Sequence, residues 1–285
     1  MAHITVTFYG TRGSIPICDP NYMEFGGNTT CISFYRHSTH RIAILDAGTG
    51  IRALGKHIKE NFPEQNDIAI TFSHFHWDHI QGLPFFDPAY NPNRTINIGA
   101  LGEGGKFTNL REIFQNLMLE EYSPVQLENM GAKFNFNFKE TNVFEEKGTV
   151  LKTIKQNHPG GSFGYRIETE GCIIVVCTDL EHGDTINEDI IAFAKDADLL
   201  IHEAQYTDEE LLTHKGWGHS SFNQAIEVAE RAGVKQLVMT HHDPDHDDEF
   251  LRAIEKQCQA RFKNCLLARE GMSIDVKRFY YLFSG

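Results

Sequence analysis

The stretch Thr71-Phe72-Ser73-His74-Phe75-His76-Trp77-Asp78-His79 puts four residues of metal-binding type within six positions, directly after the apolar run Ile68-Ala69-Ile70. A strand running into a loop of this kind aims His74, His76, Asp78 and His79 at one point. Imidazole nitrogens and a carboxylate suit Zn2+, Fe2+ or Mn2+. A single catalytic metal keeps a position open for water and needs fewer protein ligands than this, so the spacing points to two metals sharing one loop. Further ligand-type residues stand at the ends of predicted strands: His158, Asp179, His202-Glu203, His219 and His241. A lone histidine is more often a satisfied polar residue than a ligand. Fifteen histidines in 285 residues, repeatedly placed where strands end, reverse that expectation.

The elements that must position these residues can be read from apolar periodicity. Ile4 to Tyr9 alternates as a half-buried strand and ends at Gly10-Thr11-Arg12-Gly13-Ser14, a sharp turn at the rim of a site, with Arg12 either on substrate or in a structural ion pair. Strands follow at 28–35 and 41–45. Asp46 then stands before a Gly-rich turn and a helix over 51–61. That turn lacks the lysine and spacing of a P-loop, so Asp46 reads instead as an anchor accepting N–H bonds from the metal loop. After strand 67–72 and the motif come a short helical turn stopped by Pro84 and a strand over 95–100. A Gly-rich loop leads into an amphipathic helix over about 106–119. Strands are predicted at 132–138 and 149–156, with a hairpin of 163–168 and 172–177 turning at Glu170-Gly171. Helices over 187–195, 221–232 and 246–260 then alternate with strands at 199–202 and 236–240, and a final hairpin spans 266–276. A β-rich half with a βα run, repeated once, predicts an α/β (α+β) chain folded as one domain, a four-layer αββα sandwich. The stretch of about 101–125 is an insertion suited to a lid or a subunit interface.

Composition narrows the classes. A net charge of −13 disfavours an extended surface for polyanions, though bound cations would still attract a small phosphorylated substrate. Six cysteines show no paired framework, which implies a reducing compartment. The N-terminus lacks the basic and apolar regions of a signal peptide, and no apolar run approaches a membrane span. These features predict a soluble cytoplasmic protein.

The order His74-x-His76-x-Asp78-His79, His158, Asp179, His241 resembles the metallo-β-lactamase superfamily over most of the chain. His158 with Gly164-Tyr165-Arg166-Ile167, His202-Glu203-Ala204, and Gly218-His219-Ser220-Ser221 are similar to its phosphodiesterase branch, which includes RNase Z and PhnP-type enzymes. The resemblance implies that His74, His76 and His158 hold one metal, that Asp78, His79 and His241 hold the second, and that Asp179 bridges. Zn2+ is the expected metal, with Mn2+ and Fe2+ compatible. Asp78 can orient the attacking water or act as base. In-line attack on phosphorus also needs a proton for the departing alkoxide. His219 follows the flexible-looking Gly216-Trp217-Gly218 and is assigned to neither metal, so it is the expected general acid, hydrogen-bonded by Glu203, which should raise its pKa.

Two departures matter. The chain lacks the basic tRNA-gripping arm of RNase Z enzymes. Its last ligand is followed by acidic His242-Asp243-Pro244-Asp245-His246-Asp247-Asp248-Glu249, read as a solvated loop and helix cap. It resembles more closely the small bacterial and phage phosphodiesterases that cleave cyclic nucleotides, including the anti-Pycsar group. The expected substrate is a small phosphodiester, a 3′,5′-cyclic nucleotide foremost. A tRNA 3′-processing endonuclease and a lactone or thioester hydrolase are the alternatives, and a homodimer is expected.

Overall fold

The computed structural model describes residues 3–102 and 109–277. Its first half runs β1 (His3–Gly10), β2 (Cys31–Arg36), β3 (Arg41–Leu45), α1 (Ile51–Asn61), β4 (Asp67–Thr71), α2 (Trp77–Ile80), β5 (Thr95–Leu101), α3 (Leu110–Leu117) and β6 (Lys133–Lys139). The second half runs β7 (Val143–Glu146), β8 (Thr149–Gln156), β9 (Ser162–Thr169), β10 (Cys172–Cys177), α4 (Glu188–Ala194), β11 (Leu199–Glu203), α5 (Asp208–Thr213), α6 (Phe222–Ala232), β12 (Leu237–Thr240), α7 (Asp248–Arg261), β13 (Cys265–Leu267) and β14 (Ser273–Lys277).

Two seven-stranded sheets result, ordered β14-β1-β2-β3-β4-β5-β6 and β13-β12-β11-β10-β9-β8-β7. Each is antiparallel on one side and parallel where helices intervene. Alternation within strands fills three apolar layers. Val6, Phe8, Ile32, Ile174, Val176 and Ile201 pack between the sheets. Ile44, Ile70 and Ile98 turn outward onto Leu54 and Ile58 of α1 and Phe114 of α3. Val175, Cys177 and Met239 turn outward onto α4, α6 and α7. The αββα sandwich expected from the element order is therefore the fold, and β10 is apolar throughout because both its faces are covered.

Three local expectations change. The final stretch is not a hairpin. Cys265–Leu267 adds in parallel to β12, whereas Ser273–Lys277 crosses over and pairs antiparallel with β1. The Glu270-Gly271 turn is held from outside, by Gly271 N–H to Phe8 O and Glu270 N–H to Phe25 O, rather than by a strand partner of its own. The helix predicted from about 106 is described only as Leu110–Leu117, since residues 103–108 lie outside the described residues. Its Phe114 packs on Phe72 and Phe75 (ring centroids 5.1 and 6.1 Å), so this part of the insertion buttresses the metal loop. Strand β7 and helix α5 have no counterpart in the sequence reading.

One buried pair gives the fold a pH dependence. His182 and His202 stack with Nε2 atoms 3.4 Å apart. Burial pushes His182 down to about 3 and His202 to about 4. The unfolded chain therefore binds more protons than the folded one between these values and the ordinary histidine pKa of about 6.5. The pair's contribution to stability is complete above that pH and is lost as pH falls toward the folded-state values. Urea midpoints measured from pH 7 to pH 4 should decline, and His182→Phe should make the decline shallower; an unchanged slope would remove the pair as a cause.

Candidate metal centre

The candidate residues sit where strands stop at one edge of the sandwich. Asp46 follows β3, the motif follows β4, His158 follows β8, Asp179 follows β10, Glu203 ends β11 and His241 follows β12. Asp46, Asp179 and His241 all take left-handed backbone conformations (φ 62°, 56° and 63°), strain of the kind held at functional sites.

Four buried histidines, His74, His79, His158 and His241, each commit Nδ1 to the protein and turn Nε2 toward the cavity. Asp46 accepts from Ser73 N, Ser73 Oγ and His79 Nδ1, each at 2.8 Å, as its position at the strand end suggested. Ser73 Oγ in turn accepts from His74 Nδ1 at 3.1 Å. His158 Nδ1 donates to Gly218 O at 2.9 Å, and His241 Nδ1 to Gln205 Oε1 at 3.0 Å. The Nε2 atoms, of which that of His241 also lies 3.1 Å from Asp78 Oδ2, then surround Asp179: His74 and His79 at 3.3 Å and His158 at 3.6 Å from Oδ2, His241 at 3.3 Å from Oδ1. Gaps of this size are long for hydrogen bonds. They match the spacing of neighbouring ligands around a cation that would be held at about 2.0–2.1 Å.

Besides a cluster of Glu203, His219 and His241, two groups emerge at the site, His74/His76/His158/Asp179 and Asp78/His79/Asp179/His241, the ligand atoms within each lying within 4.8 Å of one another. Asp179 belongs to both. His74 Nε2 and His79 Nε2 are buried without a hydrogen-bond partner, and His158 Nε2 lies 3.0 Å from His76 Nδ1. Buried imidazole nitrogens left this way are costly unless a cation takes them up, so the residues fit divalent metal.

Charge reinforces the picture. Burial pushes Asp179 up, but His241, His79 and His74 outweigh it and hold the carboxyl well below the usual range. Burial likewise opposes ionisation of Asp78, and His79 and His241 overcome it. Asp78 Oδ2 also accepts from Ser14 N at 2.9 Å, so the turn after β1 does reach the site. In that turn Gly13 lies against His241, where a Cβ would overlap the ring.

Arg12 takes neither role expected of it. It is fully buried and donates to three backbone carbonyls, Nε to Gly26 O (2.7 Å) and Nη1 to Asp243 O (2.9 Å) and His246 O (2.7 Å). It pins the acidic stretch, in which Asp247 caps α7 through Phe250 N (2.8 Å).

His219 is buried beside both groups, its ring 5.1 Å from that of His241 and 5.3 Å from that of His158. The bond expected from Glu203 is absent: His219 Nδ1 stands 3.8 Å from Glu203 Oε1. Glu203 instead accepts from Leu180 N (3.2 Å), Gln205 N (3.1 Å) and Ser220 N (2.6 Å), tying three loops together. Nor is the His219 pKa raised. Burial dominates and pushes it down to about 3, against the pull of Asp179, while burial pushes Glu203 up to about 8.

The Gly216-Trp217-Gly218 loop is also tied. Glu181 accepts from Gly216 N (2.9 Å to Oε1, 2.8 Å to Oε2) and from Gly218 N (2.9 Å). Glu181 escaped the sequence reading because only its acidic neighbourhood beside Asp179 marked it. Through Gly218 it sets the carbonyl that orients His158.

Comparison with known proteins agrees with this geometry. The family model for the beta-lactamase superfamily domain matches residues 40–242. A ribonuclease Z from Agathobacter rectalis is 27% identical over 323 aligned positions, covering 96% of this chain and 98% of that protein. Among solved structures, the metallo-beta-lactamase fold protein YhfI from Bacillus subtilis superposes with a TM-score of 0.72 at 19% identity, covering 96% of this chain and 100% of its own. A diphosphatase from the PhnP family gives 0.69 at 17% identity, covering 97% and 98%.

Two substitutions test the centre without touching a ligand. Asp46→Ala should weaken metal binding about 10- to 100-fold in chelator competition. Gly218→Ala forces a methyl group into His158 Nδ1 and should reduce the metal content measured by elemental analysis. Full metal content and affinity in both variants would count against the arrangement.

Proposed function

The chain belongs to the metallo-β-lactamase superfamily, and from that premise we propose a dinuclear metal-dependent phosphodiesterase of the branch that includes ribonuclease Z and the PhnP family, acting on a small phosphodiester, a 3′,5′-cyclic nucleotide foremost. The observation that carries the reading is His219, buried against two His/Asp groups that share Asp179 yet belonging to neither. Phosphodiester cleavage needs such a proton donor beside the metal ligands, because its alkoxide leaving group is strongly basic. The cavity supports a small substrate. It holds about 440 Å3 and is lined by Ser14, Phe75, His76, Trp77, Asp78, Asp179, His219 and His241, within the range of small-molecule sites.

In this reading His74, His76 and His158 hold one cation, Asp78, His79 and His241 the other, and Asp179 both, with Zn2+ the default and Mn2+ or Fe2+ compatible. Such cations polarise a phosphoryl oxygen and lower the pKa of water. Asp78, fixed by Ser14 N, aligns the attacking water as well as ligating. His219 gives its proton to the departing oxygen, the incoming phosphodiester charge favouring the imidazolium that burial alone disfavours. Glu203 holds the backbone around His219 in place. The reading includes a cytoplasmic location and a homodimer, with exposed Leu119 (43%) and Tyr122 (76%) beyond α3 as contact residues.

The match to a ribonuclease Z over nearly the whole chain favours a second reading, a tRNA 3′-processing endonuclease. The net charge of −13 weighs against it. Assay of the metal-loaded protein on cyclic mononucleotides, bis-p-nitrophenyl phosphate and pre-tRNA separates the two, and cleavage of pre-tRNA alone would sink the first. His219→Ala should keep its metal and lose about 10²- to 10⁴-fold in kcat; undiminished turnover would remove His219 as the acid.

A further inference from the structure

The chain has two tryptophans, Trp77 and Trp217. Both are more than half exposed, at 77% and 60%, and neither joins any of the three apolar layers. Indole carries a large apolar area and is usually well covered. Here Trp77 stands at the metal centre and Trp217 on the loop beside it. Trp77 lies between His76 and Asp78 and lines the cavity. Trp217 is two residues before His219 and directly precedes Gly218, whose carbonyl orients His158. The His76 and His158 rings are 4.8 Å apart and His158 is held by Gly218 O, so the segment that carries Trp77 and the loop that carries Trp217 meet at the same edge of the site from opposite halves of the sandwich.

Both are presented from ordered backbone. Trp77 opens α2, and its carbonyl accepts from Gln81 N at 2.8 Å. Trp217 N donates to His214 O at 3.1 Å, and both flanking glycines are held by Glu181. The Trp217 ring meets His214 edge-on at 4.8 Å, and His214 stacks on Tyr206 at 4.5 Å. Aromatic groups fixed in this way lose little freedom when a ligand stacks on them.

We infer that the two indoles form the base-recognition rim of the site, Trp77 stacking the planar heterocycle of a nucleoside phosphodiester and Trp217 bounding the same entrance. The inference rests on the phosphodiesterase reading and names its substrate class. It also specifies the selectivity. Among the described residues that line the cavity, Ser14 and the indole N–H of Trp77 are the only polar groups besides the metal-ligand candidates and His219, so little is left there to read a base edge. Stacking reads the π-face of a base and tolerates any sequence. Purines therefore bind better than pyrimidines, and adenine and guanine bind alike.

Because Trp77 and Trp217 are the only tryptophans, the intrinsic tryptophan fluorescence of the metal-loaded protein reports on this rim directly. Adenosine and guanosine monophosphates should quench it saturably with similar Kd, and ribose 5-phosphate should bind at least about tenfold more weakly. By calorimetry, Trp77→Ala should raise the Kd for adenosine monophosphate roughly ten- to a hundredfold with metal content unchanged, and Trp77→Phe should restore part of the loss. Equal binding of adenosine monophosphate and ribose 5-phosphate would overturn the inference, as would an unchanged Kd in Trp77→Ala. So would emission that follows protein concentration but not nucleotide, the mark of an interface between copies. Binding is read without turnover. The expected pattern in a protein that hydrolyses no phosphodiester would remove the catalytic reading alone, and hydrolysis without the pattern would remove the base rim alone.

Discussion

A buried imidazole can offer a lone pair in a chosen direction only if its other nitrogen is already engaged, and this constraint shapes the surroundings of the cavity. His79 is held by Asp46, His74 by Ser73, His158 by the Gly218 carbonyl and His241 by Gln205. The four partners come from four different segments, so the ring orientations bind the ends of both sheets into one rigid edge. The supporting groups are themselves supported. Ser73 is fixed by Asp46, Gly218 by Glu181, and Gln205 by Asp243. Rigid placement of this kind lets a site hold its geometry to a fraction of an ångström.

The same edge gathers buried polar groups outside the two clusters that share Asp179. Glu203 and Arg12 are both fully buried, and each joins backbone from separate loops, the first by accepting N–H groups and the second by donating to carbonyls. Loops that end strands leave backbone groups unpaired, and a buried carboxyl or guanidinium group with several hydrogen bonds can satisfy many of them at once. That explains why a carboxyl group and a guanidinium lie so close to a site without either being needed to touch substrate.

Much of this could be read from the chain because it is local. His74 to His79 carries its meaning in its spacing, the αββα order follows from apolar periodicity, and Asp46 stood out as a carboxylate at a strand end. What could not be read is non-local. Whether 273–277 pairs with its neighbour 265–267 or with β1 depends on which sheet edge is open, and periodicity carries no such information. Glu203 was expected to bond His219 because the two types suit each other; its lone pairs are occupied by backbone N–H groups that only the folded loops bring together. Glu181 acts across 35 and 37 residues on two glycines, a relation with no trace in local pattern. Arg12 looked like a substrate or ion-pair residue because a charge beside a Gly-rich turn suggests an anion, yet its partners are carbonyls.

The crossing of β14 onto β1 has a temporal meaning as well as a spatial one. Thr5 Oγ1 donates to Asp275 Oδ1 at 2.7 Å across 270 residues of chain, and the first sheet has an open edge at β1 until that late strand arrives. A ribosome adding about 5–20 residues per second takes on the order of 15–50 s to cover that distance. Throughout that interval β1 is an unpaired edge, available to any extended segment nearby. The loop with the metal-binding histidines emerges early, but His241 emerges near the end of the wait. Closure of the sheet and completion of the metal centre are thus late events of synthesis, and β1 keeps an open edge until β14 is in place.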